Sequence, residues 1–167
     1  LWYLSAWSDK NKYPACVSFF QDRLTFAGTE KQSNGAWHSK SGDYPNFETK
    51  SADGKVIDDS AISYNIIARE KFDIIHIVPA QDLVFFTTGD EWIINGGSIL
   101  KPTEINPRIQ TSYGSSNVIP LFIGNRILYV QRQGGKIRDM GYSYESDNYM
   151  GDDLTIFIQH LTDHHHF

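Results

Sequence analysis

Residues 82–94 read DLVFFTTGDEWII, with an apolar run at 83–86, a Gly-Asp pair at 89–90 and a second apolar run at 92–94. Strands favour aromatic and β-branched residues, and glycine readily takes the positive φ that short hairpin turns require. The stretch therefore predicts two antiparallel strands joined by a tight turn, which is the basic unit of an antiparallel all-β fold.

The same plan of strand, tight turn and strand occurs twice more along the chain. One copy lies at residues 23–38, with Asn34-Gly35 at its turn, and the other lies at residues 126–138, with Gly134-Gly135. Each of the three hairpins is preceded by a further apolar segment, at 16–20, 74–78 and 121–123 respectively. The pattern predicts three β-meanders.

The predicted fold class is therefore all-β, with antiparallel meanders. The chain is interpreted as a single β-rich module over residues 1–167, with meander units near 13–48, 60–97 and 105–145. Since it begins at Leu1 and not at a methionine, we expect it to be excised from a longer protein. Spacings of about 40 to 60 residues favour β-propeller-like blades, and a β-sandwich, which also uses hairpins, is the alternative.

One segment near the C-terminus has a different period. Leu154, Phe157, Ile158 and Leu161 are spaced i, i+3, i+4 and i+7, which places them on one face of a helix. Asp152 or Asp153 is available as the N-cap. The sequence therefore predicts a short helix at about 152–161.

The charge balance excludes some classes of function. The chain has 15 basic and 20 acidic residues, which gives a net charge of −5. A dedicated nucleic-acid binder needs a basic stripe to neutralise phosphates, so this balance argues against that class. No apolar run reaches the roughly 20 residues of a membrane helix. Cys16 is the only cysteine, so the chain has no internal disulfide.

Two adjacent carboxylate pairs, Asp58-Asp59 and Asp152-Asp153, are candidates for acid–base chemistry. Glycoside hydrolysis needs two carboxyl groups about 5 to 10 Å apart on either side of one bond. Neighbouring residues on a strand or a loop point apart, so loop solvation and helix capping explain these pairs better. We predict no catalytic residue among them.

The histidine, serine and cysteine residues also give no site. His164, His165 and His166 are consecutive, whereas zinc ligands are usually separated in sequence. His76 stands between Ile75 and Ile77 and is expected to be a hydrogen-bonded or edge-strand histidine. Other candidates without a recognisable motif are Ser112, Ser115 and Ser116, Cys16 in an apolar strand, and the glycine pairs at 96–97 and 134–135. We therefore predict no catalytic, cofactor-binding or metal-binding residues and no enzymatic activity.

Four aromatic residues, Trp37, Tyr44, Phe47 and Trp92, are candidates for stacking on sugar rings. The alternating apolar strands already place most of them in the core, and core packing is the favoured interpretation. A carbohydrate-binding surface is the alternative.

Several segments of the chain follow motifs of one protein family. Residues 19–29 match FFxxRLxFxGT, and residues 37–47 match WxSKxGDYxxF. Further similar segments are residues 58–62, 87–92, 113–116, 124–131 and 141–145. In order and spacing these segments resemble the tail nozzle family of short-tailed bacteriophages, also called tail tubular protein B. The resemblance covers nearly all of residues 13–161.

This resemblance implies a structural, ring-forming component of a phage tail, encoded by a phage or by a resident prophage. The protein would be made in the bacterial cytoplasm and located in the tail of the virion. Its implied partners are copies of itself and neighbouring tail proteins, with DNA passing through the channel without specific binding. The resemblance implies no catalytic residue, and from the sequence we expect no membrane span and no cofactor. A tail module that binds a host-surface glycan is the alternative function.

Overall fold

Twelve strands form three antiparallel sheets in the computed structural model, which describes residues 7–94, 99–133, 135–143 and 148–154. The first sheet contains β1 (Cys16–Phe20), β2 (Arg23–Ala27), β3 (Gly35–His38) and β4 (Ile62–Asn65). The middle sheet contains β5 (Ile74–Pro79), β6 (Leu83–Thr87), β7 (Glu91–Ile94) and β8 (Pro107–Thr111). The third sheet contains β9 (Leu121–Ile123), β10 (Arg126–Val130), β11 (Ile137–Ser143) and β12 (Asn148–Asp153). The predicted all-β fold class is confirmed.

Each sheet is a meander, because its strands pair in the order in which they follow along the chain. The hairpins expected from the sequence are β2–β3, β6–β7 and β10–β11, and a fourth strand completes each sheet. β4 lies within 60–97, the range predicted for the second unit, but it pairs with β3 in the first sheet, with Ser63 opposite Trp37. Alternation along a strand shows which face is buried but does not name the neighbouring strand, so the sequence left this pairing open.

The middle sheet is buried on both of its faces. Leu83 and Phe85 of β6 pack in the core shared with the first sheet, whereas Val84 and Phe86 pack in the core shared with the third. Successive side chains of a strand point to opposite faces, so a continuous apolar run belongs to a strand that is covered on both sides. The three sheets are therefore stacked face to face as three layers.

Two hydrophobic cores fill the spaces between the layers. The core between the first and middle sheets contains Ala27, Ala36, Ile62, Ile66, Phe72, Ile74, Leu83, Phe85, Trp92, Ile94 and Leu100. The core between the middle and third sheets contains Val78, Val84, Phe86, Ile93, Ile127, Tyr129, Met140 and Tyr149. Burial of one large apolar side chain contributes about 1.5–3 kcal/mol, so these two cores are the main source of stability.

The tightest turns lie at positions that the sequence did not predict. Gln21 and Asp22 connect β1 to β2 with φ angles of 45° and 57°. Positive φ at both central residues is the geometry of a type I′ turn, which Asn-Gly usually occupies. By contrast, Gly35 lies within β3 and Gly89 within the loop before β7, and neither has a positive φ. Gly135, in the loop between β10 and β11, does have the expected positive φ, at 56°. Of the three glycine-containing turns predicted from the sequence, the positive φ is therefore confirmed at Gly135 and absent at Gly35 and Gly89.

The predicted C-terminal helix does not begin at residue 152. Asp152 and Asp153 belong to β12, where they lie opposite Asp139 and Arg138 of β11. Pairing along the sheet satisfies the backbone hydrogen bonds of β12, and this outweighs the local preference of aspartate for a helix N-cap. The remainder of the predicted span, 155–161, lies outside the described residues. Within the described ranges, no helix has the length and apolar character needed to cross a membrane.

Arg23 holds the long loop between β3 and β4 against the first sheet. Its guanidinium donates hydrogen bonds to the backbone oxygens of Ser39, Asp58 and Ser60 at distances of 2.7, 2.7 and 2.8 Å. Burial lowers the pKa of Arg23, and the nearby Asp59 carboxylate opposes this effect. A buried cation is costly unless its donors are satisfied, so the three carbonyl oxygens fix the loop in one position.

Gly28 lies where the first sheet comes into close contact with β5, and a substitution at this position tests that contact. Its φ is +65°, and a Cβ atom at this position would clash with the backbone oxygen of Ile74. Gly54 has a similar φ of +74° but no neighbouring atom within 4 Å of its Cβ position. We expect Gly28→Ala to lower the free energy of unfolding by about 3 kcal/mol or more, and Gly54→Ala by only about 1 kcal/mol, the cost of the backbone conformation. Urea unfolding followed by tryptophan fluorescence measures both, and equal losses would contradict the close approach.

Candidate functional site

The outer face of the third sheet carries an exposed apolar patch. Strand pairing places Leu121, Ile123, Leu128 and Met150 on the face turned away from the middle sheet, and these four residues define the third-sheet patch. The exposed fractions of Leu121 and Ile123 are 59% and 58%. Arg126 lies on the same face and forms ion pairs with Asp139 and Asp152. Exposed apolar surface rimmed by charged side chains is typical of a protein contact site.

The outer face of the first sheet is covered in part by its own chain. Trp7 packs edge-on against Phe26, Trp37 and Phe47, with ring centroids 4.8, 5.9 and 4.9 Å away. The edge strand β1 is not covered in this way: Val17 and Phe19 are 56% and 60% exposed. These two residues define the first-sheet patch. Both end layers of the stack therefore expose apolar side chains.

A groove lies between the linker that joins the first sheet to the middle sheet and the loops that follow β6, β8 and β10. Its volume is about 990 Å³, which is at the upper end of the range for ligand-binding pockets. The side chains that line this linker groove include the aromatic residues Trp92 and Tyr113, the cations Arg69, Lys71 and Arg132, and the carboxylates Glu70 and Asp90. Aromatic and charged groups converge here, which makes the groove a candidate binding site.

A buried polar cluster lies next to the groove, between the middle and third sheets. Glu91 Oε2 accepts hydrogen bonds from Thr111 Oγ1 at 2.6 Å and from the Tyr113 backbone N–H at 3.2 Å. The Arg138 guanidinium lies over the Tyr113 ring, 3.3 Å from its centroid, and donates to Gln131 Oε1 at 2.7 Å. Burial raises the pKa of Glu91 to about 7, although both hydrogen bonds and Arg138 oppose the shift. Glu91 therefore titrates near neutral pH.

A second buried polar cluster lies on the inner side of the first sheet. His38 Nδ1 lies 2.7 Å from Thr25 Oγ1, and its Nε2 lies 3.2 Å from the Tyr64 hydroxyl. Burial, reinforced by the charge of Arg23, lowers the pKa of His38 to about 3. The ring is therefore neutral at physiological pH and held between two hydroxyl groups. His38 contributes to the packing of the sheet.

Three of the four carboxylates in the two pairs found in the sequence form ion pairs, each with a different cation. Asp58 lies 3.4 Å from the ammonium group of Lys101. Asp152 pairs with Arg126, whereas Asp153 pairs with Lys136 at 2.8 Å. Successive residues of β12 point to opposite faces of the sheet. Asp152 and Asp153 therefore do not face one substrate position.

The single histidine, serine and cysteine candidates have local structural contacts. His76 lies in the edge strand β5, with Nε2 3.2 Å from the Ser116 backbone oxygen, and burial lowers its pKa. Ser115 is buried and donates to the same oxygen. Cys16 Sγ lies 3.4 Å from the Ala27 backbone oxygen, and burial raises the pKa of this thiol to about 12. The thiol therefore stays protonated and is a poor nucleophile.

The four aromatic residues considered for sugar binding are not assembled into one platform. Trp37 and Phe47 pack with Trp7 on the outer face of the first sheet, and Tyr44 packs edge-on against Phe19. Trp92 stacks with Phe72 in the core and also lines the linker groove. Trp92 therefore borders a cleft that contains charged side chains.

Among the residues that the structure describes, no group of three or more histidine, cysteine, aspartate or glutamate side chains is arranged to hold a metal ion. The consecutive histidines His164, His165 and His166 lie outside these residues.

Sequence reasoning missed Glu91, Arg138 and the linker groove. A signal for Glu91 was present, because a carboxylate stands at the start of an apolar strand, directly before Trp92-Ile93-Ile94. No such signal exists for the groove, whose walls come from four segments between residues 67 and 133.

No protein-family model matches the chain, and no curated protein matches it significantly. The resemblance to the tail nozzle family therefore stays a prediction from the sequence.

Glu91 predicts a specific pH dependence of stability. Its pKa of about 7 in the folded chain lies above the ordinary value of 4.5, so the folded state binds the proton more tightly than the unfolded state. The stabilisation is therefore complete below about pH 4.5 and is lost as the pH rises towards 7, by about 3 kcal/mol. Buried His38 has the opposite dependence, because its pKa is lowered. The contribution of Glu91 is therefore obtained from the difference in free energy of unfolding between the native chain and Glu91→Gln.

We expect the free energies of unfolding of the native chain and of Glu91→Gln to converge at low pH. As the pH rises from 4.5 to 7, the native chain should lose stability relative to the variant, because glutamine has no charge to desolvate. Urea unfolding across this range measures the difference. Glu70→Gln, which removes an exposed carboxylate, is the matched control and should run parallel to the native curve. A constant difference between Glu91→Gln and the native chain would contradict a raised Glu91 pKa.

Proposed function

We propose that this chain is a structural building block of a short phage tail, where it forms part of the ring through which DNA leaves the virion. In this proposal the three sheets are successive blades of a β-propeller-like array, and copies of the chain are neighbours in the ring. The observation that carries the proposal is a stack of three four-stranded meanders whose two outer faces still expose apolar side chains.

The middle sheet shows that two neighbouring sheets are needed to bury both faces of a sheet in this fold. It is buried on both faces, with one neighbouring sheet on each side. The first and third sheets each have one such neighbour, and each keeps an apolar patch on the other face. In our proposal, the third-sheet patch of one copy packs on the first-sheet patch of the next. An interface between two different faces closes into a ring when the rotation per subunit divides a full turn.

The segments that carry the family resemblance also support a structural role. The FFxxRLxFxGT segment contains the end of β1, the type I′ turn and β2, and it includes Arg23 and Gly28. Arg23 binds three backbone carbonyl groups, and Gly28 permits close contact with β5. Both residues keep the backbone in a fixed arrangement, which supports a structural function for the protein.

The net charge of −5 supports a channel through which DNA moves without being held. Phosphate groups are attracted by basic side chains, and each neutralised phosphate strengthens DNA binding. An acidic wall instead repels the backbone. In an assembled ring we therefore expect no retention of duplex DNA even at low salt.

The proposed interface predicts how the chain associates. We expect the chain to form larger species with rising concentration, and the double variant Leu121→Ser/Ile123→Ser to weaken this association at least tenfold, because burial of each apolar side chain contributes about 1.5–3 kcal/mol. Sedimentation velocity measures the change. The matched control is Ile57→Ser, since Ile57 is 49% exposed and belongs to neither patch.

The two-faced geometry can be tested by mixing variants. Phe19→Ser blocks only the first-sheet patch, and the double variant blocks only the third-sheet patch, so a mixture of the two should stop at dimers. Unchanged association of both variants, or higher oligomers in the mixture, would contradict the interface.

The biological assignment has a direct test. Antibodies against the chain should label the distal end of the tails of phage particles from the source bacterium, as seen by immunogold electron microscopy. Label on capsids alone, or no label on purified particles, would contradict a place in the tail.

A further inference from the structure

The linker groove is not part of either apolar patch, and the assembly proposed above leaves it without a role. It opens beside the linker at residues 67–72, on the same side as the loops that follow β6, β8 and β10. Loops at one end of a rigid β-scaffold are common positions for binding sites. The composition of the groove indicates what kind of ligand it would accept.

The first feature is an aromatic ring held in a fixed position. Tyr113 is 39% exposed, while the Arg138 guanidinium lies 3.3 Å from its ring centroid and covers one face. The Tyr113 backbone N–H is bound to Glu91, which fixes the main chain as well. A ring supported on one face presents its other side to a ligand with little loss of conformational entropy. The polarised C–H groups of a sugar ring are suited to the negative face of an aromatic ring.

The second feature is an indole N–H without an acceptor. Trp92 is 5% exposed and lines the groove, and its Nε1 has no hydrogen-bond partner among the described residues. A buried N–H without a partner costs free energy. The Nε1 atom itself is buried, so a ligand hydroxyl group can accept from this donor only if the groove wall shifts.

The third feature is an excess of positive charge. Arg69, Lys71 and Arg132 line the groove together with Glu70 and Asp90, whereas the chain as a whole has a net charge of −5. The Arg132 guanidinium donates to the Thr88 backbone oxygen at 2.9 Å, and this bond orients it. One bond uses one of the five N–H donors of a guanidinium. The cation is thus held in place by Thr88, in the lining of the same groove as Tyr113.

We propose that the linker groove binds an acidic oligosaccharide. One sugar ring stacks on Tyr113, carboxylate groups of the ligand pair with Arg132 and Lys71, and hydroxyl groups bond to polar groups of the wall. An acidic peptide would use the same cations but would not need a supported aromatic face. The inference is independent of the proposed place in a phage tail, since it depends only on the lining of the groove.

The test uses trigalacturonate as the probe and isothermal titration calorimetry as the measurement. Maltotriose has sugar rings without carboxylates, and acetylated, amidated triglutamate has three carboxylates without rings. We expect trigalacturonate to bind at least tenfold more tightly than either. We also expect its affinity to fall with rising salt, because the cations are exposed to solvent.

Variants locate the binding in the groove. Tyr113→Leu and Arg132→Gln should each weaken trigalacturonate binding by about tenfold, in line with the usual strength of aromatic stacking and of charge-assisted hydrogen bonds. The matched controls, Tyr13→Leu and Lys55→Gln, remove an exposed tyrosine and an exposed lysine outside the groove and should leave the affinity unchanged. Circular dichroism verifies the fold of each variant.

A second readout does not depend on substitution. Trigalacturonate should shift the indole N–H resonance of Trp92 in the NMR spectrum of the native chain, and maltotriose should shift it less. Equal binding of triglutamate would overturn the saccharide class, since the groove would then respond to charge alone. Absence of trigalacturonate binding, or binding that Tyr113→Leu and Arg132→Gln leave intact, would overturn the proposal itself.

Discussion

Burial of both faces of the β6–β7 hairpin is the constraint on which the rest of the structure depends. Leu83 and Phe85 need an apolar sheet face to pack against, and Val84 and Phe86 need a second one on the opposite side. A single sheet cannot supply both, so one meander must cover each face. Because alternate residues of a strand lie on opposite faces, the continuous apolar run of β6 requires three layers. The first and third sheets follow from this requirement.

Buried polar groups set the details of the fit between the layers. Arg23 has three carbonyl partners, and His38 lies between two hydroxyl groups, so both are accommodated within the first sheet. Glu91 is different, because its Oε2 has two donors while its Oε1 has none among the described residues. An incompletely bonded buried carboxylate favours its protonated form. The boundary between the middle and third sheets is therefore the layer contact most sensitive to pH.

The two kinds of surface on this molecule have different chemistry. The patches on the outer layers are apolar and lie on strands, where a rigid partner of similar shape can cover them. The linker groove is lined by charged and aromatic side chains and lies among loops, where a small polar ligand can enter. Separation of these surfaces means that assembly and recognition can be altered independently, since Leu121 and Tyr113 belong to different faces and different elements.

The sequence by itself determined the all-β class and most of the strands, because period-two alternation and apolar runs are local properties. It located β1, β5 and β9 and the three hairpins for this reason. It did not determine that β4 belongs to the first sheet or that Asp152 and Asp153 lie in β12, since both depend on backbone pairing with strands that are distant or already formed.

Only the tertiary structure decided where functional groups come together. The ring of Tyr113, the guanidinium of Arg138 and the carboxylate of Glu91 lie on separate segments, and stacking of the middle and third sheets brings them into contact. The groove likewise exists only because a linker and three loops meet at one end of the stack. Contacts between layers depend on the relative placement of whole sheets, and a pattern that repeats every two residues contains no information about that placement.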